Sequence, residues 1–299
     1  MKSPDEFLLT FDKTWTAFSV AWKKAHAKAS QKSVHDLRVN TRRLIATLEL
    51  TRSISKHEDI VKLQRRFKKV LKSIGPLRDA QVQLKGISQV RLAGPIVDFQ
   101  RSLQRRALRQ MEGLSKKLKP GTKDDLTDGV GEVRSEFIRL HDKLGPQRLS
   151  AAVERVLRSR RSQYAKTRKQ FRPQDEETLH QMRIALKKLR YAAEAAVPIL
   201  GEDTSERTDK MHELQTLLGD TRDLELLRTR LEKWAAKRGK KIAVIPALET
   251  LQEKQQALLP KIEETAAALD ALYRGDQVKP AAEKTLAVTK EPRVRHAKV

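Results

Sequence analysis

The chain contains two copies of one sequence pattern, and this internal repetition constrains its fold more than any other feature. The stretch VHDLRVNTRRLIATLEL at residues 34–50 matches LHQMRIALKKLRYAAEA at 179–195, with His, Arg, Arg/Lys and Leu in register. A second match follows in the same order, between LKSIGPLRDAQVQL at 71–84 and QTLLGDTRDLELL at 215–227. Two matched blocks in the same order indicate a tandem duplication, so we expect two similar halves.

The spacing of apolar residues predicts an all-α fold. They recur at helical spacing almost throughout, as between Leu63 and Ile74, whereas alternating runs of strand type are nearly missing. The segment KIAVIP at 241–246 has β-branched character, and we expect an extended connection or a small hairpin there. Proline and glycine residues predict the helix boundaries. They are Pro4, Gly75-Pro76, Gly94-Pro95, Pro120-Gly121, Gly145-Pro146, Pro173, Gly201, Gly219, Gly239 and Pro246.

The repeats and the apolar pattern together predict the domain organisation. Residues 4–272 are expected to form one domain, with one helical half at about 4–118 and the other at about 148–272. A connecting helix is expected over 124–144. The helical pattern fails after Tyr273, so residues 273–299 are expected to form a disordered basic tail.

The charge of the chain predicts an anionic partner. Lys and Arg number 63 against 38 Asp and Glu, which leaves a net charge of +25. Cysteine is absent, which excludes disulfides and thiolate chemistry. The opening MKSPDEFLLT lacks an apolar run of signal-peptide type, and no run of about 18 uncharged apolar residues occurs. We therefore expect a soluble cytoplasmic protein that does not insert into a membrane.

The first repeated block places basic residues on one side of each predicted helix, opposite a row of leucines. In the first copy the basic side has His35, Arg38 and Arg42. In the second copy it has His180, Arg183 and Lys187, flanked by Lys188 and Arg190. A solvated basic face is the simpler explanation of one such stripe, but it gives no reason for the same order to occur twice. Two stripes that face each other would repel and would favour a bound anion.

These blocks resemble the CHAD family, the conserved histidine α-helical domain. HDLRVNTRRL and LHQMRIALKKLRY are similar to the two repeats of the family signature, and IGPLRD and LLGDTRD to its second recurring element. The similarity covers roughly residues 5–272. It implies two tandem helical bundles, related by a pseudo-twofold axis around a basic central cavity. It also implies non-catalytic binding of inorganic polyphosphate, with a place at polyphosphate granules.

The resemblance also implies which residues bind polyphosphate. They are His35, Arg38, Arg42 and Arg43 in the first copy, and His180, Arg183, Lys187, Lys188 and Arg190 in the second. The first copy departs at Ile45 and Ala46, where the second has Arg190 and Tyr191, so the first half is expected to bind less firmly. A further basic row at i, i+3, i+7 and i+10 joins the candidates. It consists of Lys62, Arg65, Lys69 and Lys72.

These residue types suit polyphosphate, which offers about one negative charge per phosphate and no base to be read. Arginine can fork two N–H donors onto phosphate oxygens, and lysine follows a mobile chain as a point charge. Binding is expected to tighten as pH falls if phosphate raises the pKa of His35 and His180. Asp79 and Asp223 follow glycine-containing segments, and we expect them either to cap helix N-termini or to orient the arginines of the stripes.

Other functions remain open at this point. The charge of +25 would attract RNA or DNA without sequence specificity, which makes nucleic-acid binding the main alternative. Against base recognition stand the aromatic content of 4% and the lack of zinc-finger, RRM or KH signatures. An enzyme is not expected, because no phosphate loop is visible and no nucleophile with a positioned acid. The residues near His35 and His180 are too poor in ligands for a metal site, and no cofactor is expected.

Overall fold

The described part of the chain is helical. The computed structural model describes residues 4–91, 94–201 and 205–278, and within these ranges there is no strand. The elements are α1 (Pro4–Ala27), α2 (Gln31–Ile54), α3 (Glu58–Ile87), α4 (Pro95–Lys117), α5 (Pro120–Gln170), α6 (Glu176–Leu200), α7 (Ser205–Ala236), a short 3-10 helix (Ile242–Val244), α8 (Ile245–Gln256) and α9 (Leu259–Val278). The prediction of an all-α fold is confirmed.

The first apolar core is formed by α1, α2 and α3, with the end of α4 and the first part of α5. Leu37 and Leu44 of α2 are fully buried in it. Phe18 of α1 meets Phe67 of α3 edge to face, with ring centroids 5.3 Å apart, a favourable geometry for aromatic pairs. Burial of the leucine side fixes the rotation of α2, so its basic side must point away from this core.

The second apolar core is formed by the later part of α5 together with α6, α7 and α9. Met182 and Leu186 of α6 are fully buried there, against Leu214 of α7 and Ile262 of α9. The rotation of α6 is therefore fixed in the same way as that of α2. Each repeat buries its leucine side in a core of its own.

Two further apolar contacts join the cores. Leu50 of α2 packs in one cluster with Val153 of α5 and Ala196 of α6. Near the end of α3, Phe99 of α4 packs against Trp234 of α7 in another cluster. The helices α2 and α6 consequently lie side by side where the two cores meet. The division into halves at about 4–118 and 148–272, and the pseudo-twofold axis between them, stay predictions.

One long helix, α5, contributes to both cores. Its first part contains the predicted connecting helix 124–144 and buries Val133 in the first core, whereas Tyr164 lies in the second. Between them Gly145 has a φ of 68°, a backbone conformation that favours glycine, and α5 kinks at this residue. The boundary predicted at Gly145-Pro146 is thus a kink within one long element.

The predicted helix boundaries are partly correct. Boundaries that agree with the prediction include Pro95, Pro120 and Gly201. Two predicted stops are wrong, because α3 continues through Gly75 and Pro76 and α7 continues through Gly219. Buried apolar side chains on both flanks of the first, Ile74 and Leu77, favour a continued helix despite the weak local propensity.

The two segments expected to be irregular differ from the prediction. Residues 241–246 form neither an extended connection nor a hairpin, because Ile242–Val244 make a 3-10 turn that leads into α8. Val244 is buried in the cluster shared by α4 and α7, which holds this turn in place. The last helix, α9, continues past Tyr273 to Val278, so the start of the expected tail is helical. The remainder, residues 279–299, lies outside the described residues.

Asp175 caps the N-terminus of α6, which carries the second basic stripe. Its carboxylate accepts hydrogen bonds from the backbone N–H groups of Glu177 and Thr178, at 2.9 and 3.4 Å. We expect Asp175→Ala to lower the free energy of unfolding by about 1 kcal/mol, and Asp175→Asn to keep most of it, because asparagine caps nearly as well. Urea titrations followed by circular dichroism would check this; equal midpoints for the two variants would contradict it.

Candidate anion-binding site

The basic sides of α2 and α6 converge in the structure. Arg42 of α2 lies close enough to Arg183 and Lys187 of α6 to lower the pKa of both side chains by electrostatic repulsion. The pKa of Lys187 falls to about 8, mainly because the ammonium group is largely buried, and then because Arg42, Arg183 and Arg38 repel its proton. The two stripes that the sequence repeats predicted therefore act on one another directly.

We call this group of side chains the central basic cluster. It consists of His35, Arg38, Arg42, Arg78, Arg183, Lys187 and Lys188. Arg38 reaches from α2 to α3, where its Nη1 stands 3.8 Å from the position that a Cβ atom on Gly75 would take. Burial and the nearby Arg42 lower the pKa of Arg38 to about 10, although Asp79 raises it. Even an arginine is thus destabilised in its charged form at this position.

The cations contributed by the two stripes lack acidic partners. Within the described residues, no carboxylate lies within 4.0 Å of the side-chain nitrogens of Arg38, Arg42, Arg183, Lys187 or Lys188, and these side chains make no hydrogen bond. The Nε atoms of Arg42 and Arg183 are buried without an acceptor. The Nδ1 atom of His180, on the same face of α6 about one turn before Arg183, is also buried without a partner. Unpaired donors and repelling cations are both unfavourable, and a bound anion would relieve both.

The second repeated block adds two arginines that the sequence analysis did not select. Arg78 of α3 lowers the pKa of His35, after burial as the larger cause, and Arg222 of α7 acts in the same direction on Arg183. Arg222 also pairs with Glu225. The available signal was their position, because each arginine precedes the aspartate of the matched blocks IGPLRD and LLGDTRD.

Asp79 and Asp223 lie within continuous helices, so the expectation that they cap helix N-termini is wrong. Both lie near the arginines instead, since Asp79 raises the pKa of Arg38 and Asp223 raises that of Arg78. The Asp223 side chain remains accessible to solvent. The protein surroundings and Asp220 raise its pKa to about 6, against the effect of Arg183 and Arg78.

A cavity of about 210 Å³ opens beside the central basic cluster, between α2, α3, α5 and α6. Its apolar wall includes Ile45, Leu50, Leu71 and Val156. Its basic residues are Arg42, Lys68, Arg160, Lys187 and Lys188. The acidic residue in this lining, Glu49, pairs with Lys68 at 3.4 Å. Lys68 and Arg160 were missed because they lie outside the repeated blocks, and only the packing of α3 and α5 brings them to this cavity.

Two residues of the predicted stripes lie elsewhere. Arg43 is exposed and lines a different cavity with residues of α1, where its Nε is 4.0 Å from Glu194. Arg190 is 8% exposed, and its guanidinium donates to Gln215 at 3.0 Å and pairs with Glu194 at 2.8 Å. It also lies 3.1 Å from Nδ1 of His212. Arg190 therefore fastens α6 to α7 and has little capacity left for a ligand.

The basic row of α3 is also separated from the central basic cluster. Lys62, Arg65, Lys69 and Lys72 are all exposed. At 100° per residue they centre on the side of α3 opposite Arg78. Lys62 is already paired with Glu58 and Asp59, at 3.4 and 3.3 Å. The structure does not bring this row together with the two stripes.

In the described ranges, no three His, Asp or Glu side chains come together as a group that could hold a metal ion. None of the helices described is long and apolar enough to cross a membrane.

Two solved structures resemble this fold over nearly their whole length. A crystal structure of the CHAD domain from the plant Ricinus communis matches with a TM-score of 0.63 and 18% identity, over 93% of this chain and 92% of that chain. PptA from Streptomyces chartreusis matches with a TM-score of 0.52 and 14% identity, over 92% of this chain and 100% of that chain. At these identities the likeness supports the fold alone. No curated protein matched the chain.

The sequence was also compared with models of protein families. The model of the CHAD domain matches residues 11–232, a range that contains both copies of the repeated blocks. This range covers well over half of the chain, and the resemblance noted from the repeats is confirmed. The chain belongs to the CHAD domain family.

Proposed function

We propose that this protein binds inorganic polyphosphate in the central basic cluster without catalysing a reaction, and that it does so in the cytoplasm at polyphosphate granules. The observation that carries the proposal is the convergence of Arg38, Arg42, Arg183 and Lys187, from both repeats, with no carboxylate partner among the described residues. Such a cluster is stable only with an anion or much water nearby. A ligand with many charges would satisfy several of these side chains at once.

The shape and composition of the cluster favour a linear phosphate chain. Basic groups come from α2, α3 and α6, and they continue into the cavity lined by Lys68 and Arg160. Its donors are mostly guanidinium and ammonium groups, which suit phosphate oxygens and do not distinguish bases. The aromatic ring in this lining, that of Tyr191, is buried and leaves little surface for stacking. Nucleic acid is therefore the less suitable ligand.

Histidine and aspartate would make binding depend on pH below neutrality. Burial and Arg78 lower the pKa of His35, which disfavours the charged ring in the free protein, and a bound polyanion would raise this pKa. Protonation of Asp223, with a pKa of about 6, would remove a negative charge from the same region. Both protonations favour an anion, so binding that tightens as pH falls stays a prediction. In Asp223→Asn only the contribution of His35 would remain, which separates the two groups.

The non-catalytic role is part of the proposal. Phosphoryl transfer needs carboxylates that hold a metal or a nucleophile with a positioned acid. Asp79 and Asp223 lie among arginines, which oppose a divalent cation at the same place. Release of phosphate from polyphosphate in the presence of magnesium would contradict this part of the proposal.

Removal of two cluster charges should weaken binding strongly. For the double variant Arg42→Gln/Arg183→Gln we expect roughly a hundredfold loss of affinity for long-chain polyphosphate, from two charge-assisted contacts of about 1.5 kcal/mol each. The matched control is Arg43→Gln/Arg65→Gln, which removes the same charge outside the cluster. Titration with excess RNA at physiological salt completes the test. Equal losses in both variants, or displacement of polyphosphate by RNA, would favour a non-specific RNA- or DNA-binding protein.

Lys187 should make binding weaker at high pH. Its pKa is about 8 in the free protein, and a bound polyanion would raise that pKa. Below about pH 7 the lysine is protonated in both states, so it adds no pH dependence; above about pH 8 binding requires uptake of a proton, and affinity falls. Isothermal titration across this range checks the prediction. Lys187→Arg should flatten the profile and Lys188→Arg should leave it unchanged, so equal slopes in all three proteins would exclude Lys187 as the source.

Arg183 and Arg190 should respond differently to substitution, although both belong to the second stripe. Arg190→Ala should lower the free energy of unfolding by about 2–3 kcal/mol, because it leaves Glu194 and Gln215 without their buried partner. Arg183→Gln should change it by less than about 0.5 kcal/mol or raise it, because it relieves repulsion. Denaturant unfolding of both variants distinguishes a structural arginine from a binding one. A large loss of unfolding free energy for Arg183→Gln would show that Arg183 is structural, like Arg190.

A further inference from the structure

A second basic cavity lies between α4 and α7, and Phe99 and Trp234 form part of its wall. It has a volume of about 520 Å³. Six basic residues line it, namely Arg106, Arg109, Arg230, Lys233, Lys237 and Arg238, and no acidic residue does. We call it the α4–α7 cavity. Four of its six cations, Arg109, Lys233, Lys237 and Arg238, are exposed, so most of the positive charge of the cavity faces solvent.

The cations of the α4–α7 cavity are not neutralised by the protein. Within the described residues none of the six has a carboxylate within 4.0 Å. Arg230 donates to a neutral group, Oε1 of Gln83, at 2.7 Å. Just outside the cavity, Arg101 of α4 and Lys240, which follows the end of α7, both pair with Asp98, at 3.7 and 3.1 Å. The lack of acidic partners is thus a property of the cavity and not of α4 and α7 in general.

The wall of the α4–α7 cavity also contains two donors without acceptors. Nη1 of Arg106 and Nε1 of Trp234 are buried and make no hydrogen bond. Buried donors without partners are unfavourable and uncommon in folded proteins. All the charged groups here are donors, so the complementary ligand must be a strong acceptor with several negative charges.

We propose that the α4–α7 cavity binds a second segment of the polyphosphate chain held by the central basic cluster, an inference that rests on the proposed function. The connection is the surface of α7. Arg222, Arg230 and Lys233 lie within one side of this helix at 100° per residue, and Lys237 follows directly after its end. Arg222 acts on Arg183 of the cluster. From Arg222 to Lys233 the helix rises about 16 Å. A long chain can follow this side between the two sites, whereas tripolyphosphate is too short.

The geometry of Trp234 favours an inorganic chain over RNA at this site. Its ring is 9% exposed, with the Arg238 guanidinium 4.8 Å from the centroid and Phe99 edge-on at 5.5 Å. A base therefore has no free ring on which to stack, which is the contact that single-stranded RNA sites generally use. Only charge remains for recognition.

The test compares two triple variants of equal charge. Arg109→Gln/Lys233→Gln/Lys237→Gln removes three exposed cations from the cavity, and the control Arg101→Gln/Arg105→Gln/Lys116→Gln removes three exposed cations outside it. For the first variant we expect about a tenfold loss of affinity for long-chain polyphosphate, since exposed ion pairs contribute modestly. We also expect a smaller salt dependence of binding, because fewer counterions are released. The affinity of the tightest tripolyphosphate site in this variant should equal that of the wild-type protein.

The outcomes separate the inference from the proposed function. If the wild-type protein binds long-chain polyphosphate and both triple variants bind it equally well, the second site is wrong and the proposed function stands. If the cavity variant loses affinity for single-stranded RNA and not for polyphosphate, the ligand assigned to the cavity is wrong. If Arg42→Gln/Arg183→Gln leaves binding intact while the cavity variant abolishes it, the proposed function of the central basic cluster fails. Each result is read from the same titrations.

Discussion

The packing of α2 beside α6 creates the central basic cluster on which the proposed function depends. Each helix buries its leucine side in a separate core, so the contact between them brings the two basic sides together. Two like charges about 8 Å apart repel by roughly 2 kcal/mol at an effective dielectric near 20. Burial of apolar side chains such as Leu37 and Leu186 opposes this repulsion. The fold thus holds cations at separations that they would not adopt alone, and burial, followed by repulsion from Arg42, lowers the pKa of Lys187 in this arrangement.

The features that the sequence predicted are those with a local cause. The all-α fold and the phase of the two stripes follow from a repeat of about 3.6 residues, which needs no knowledge of neighbouring helices. The predicted breaks at Gly75-Pro76 and Gly219 were wrong because packing outweighed local propensity. Arg190 was chosen from its place in the stripe, but its use depends on Gln215 and Glu194, and only the packing of α6 against α7 reveals that hydrogen-bonded arrangement.

What could not be predicted is which distant segments share a surface. Lys68 and Arg160 join the cavity beside the stripes only because α3 and α5 pack there. The cations of α4 and α7 form one cavity although about 120 residues separate Arg109 from Arg230. The repeats gave a usable signal for Arg78 and Arg222, since both precede the matched aspartates. The repeats gave no signal for the cations of the α4–α7 cavity.

The kink in α5 has a consequence for how this architecture can diverge. The helix passes through both cores, and at Gly145 the backbone takes a φ of 68°, which residues with a Cβ atom rarely adopt. The angle between the two arms of α5 is therefore set largely at one residue, and both ends are anchored by buried side chains. An inherited replacement there would tilt one core against the other and alter the distance between α2 and α6, while every cation on those two helices was retained.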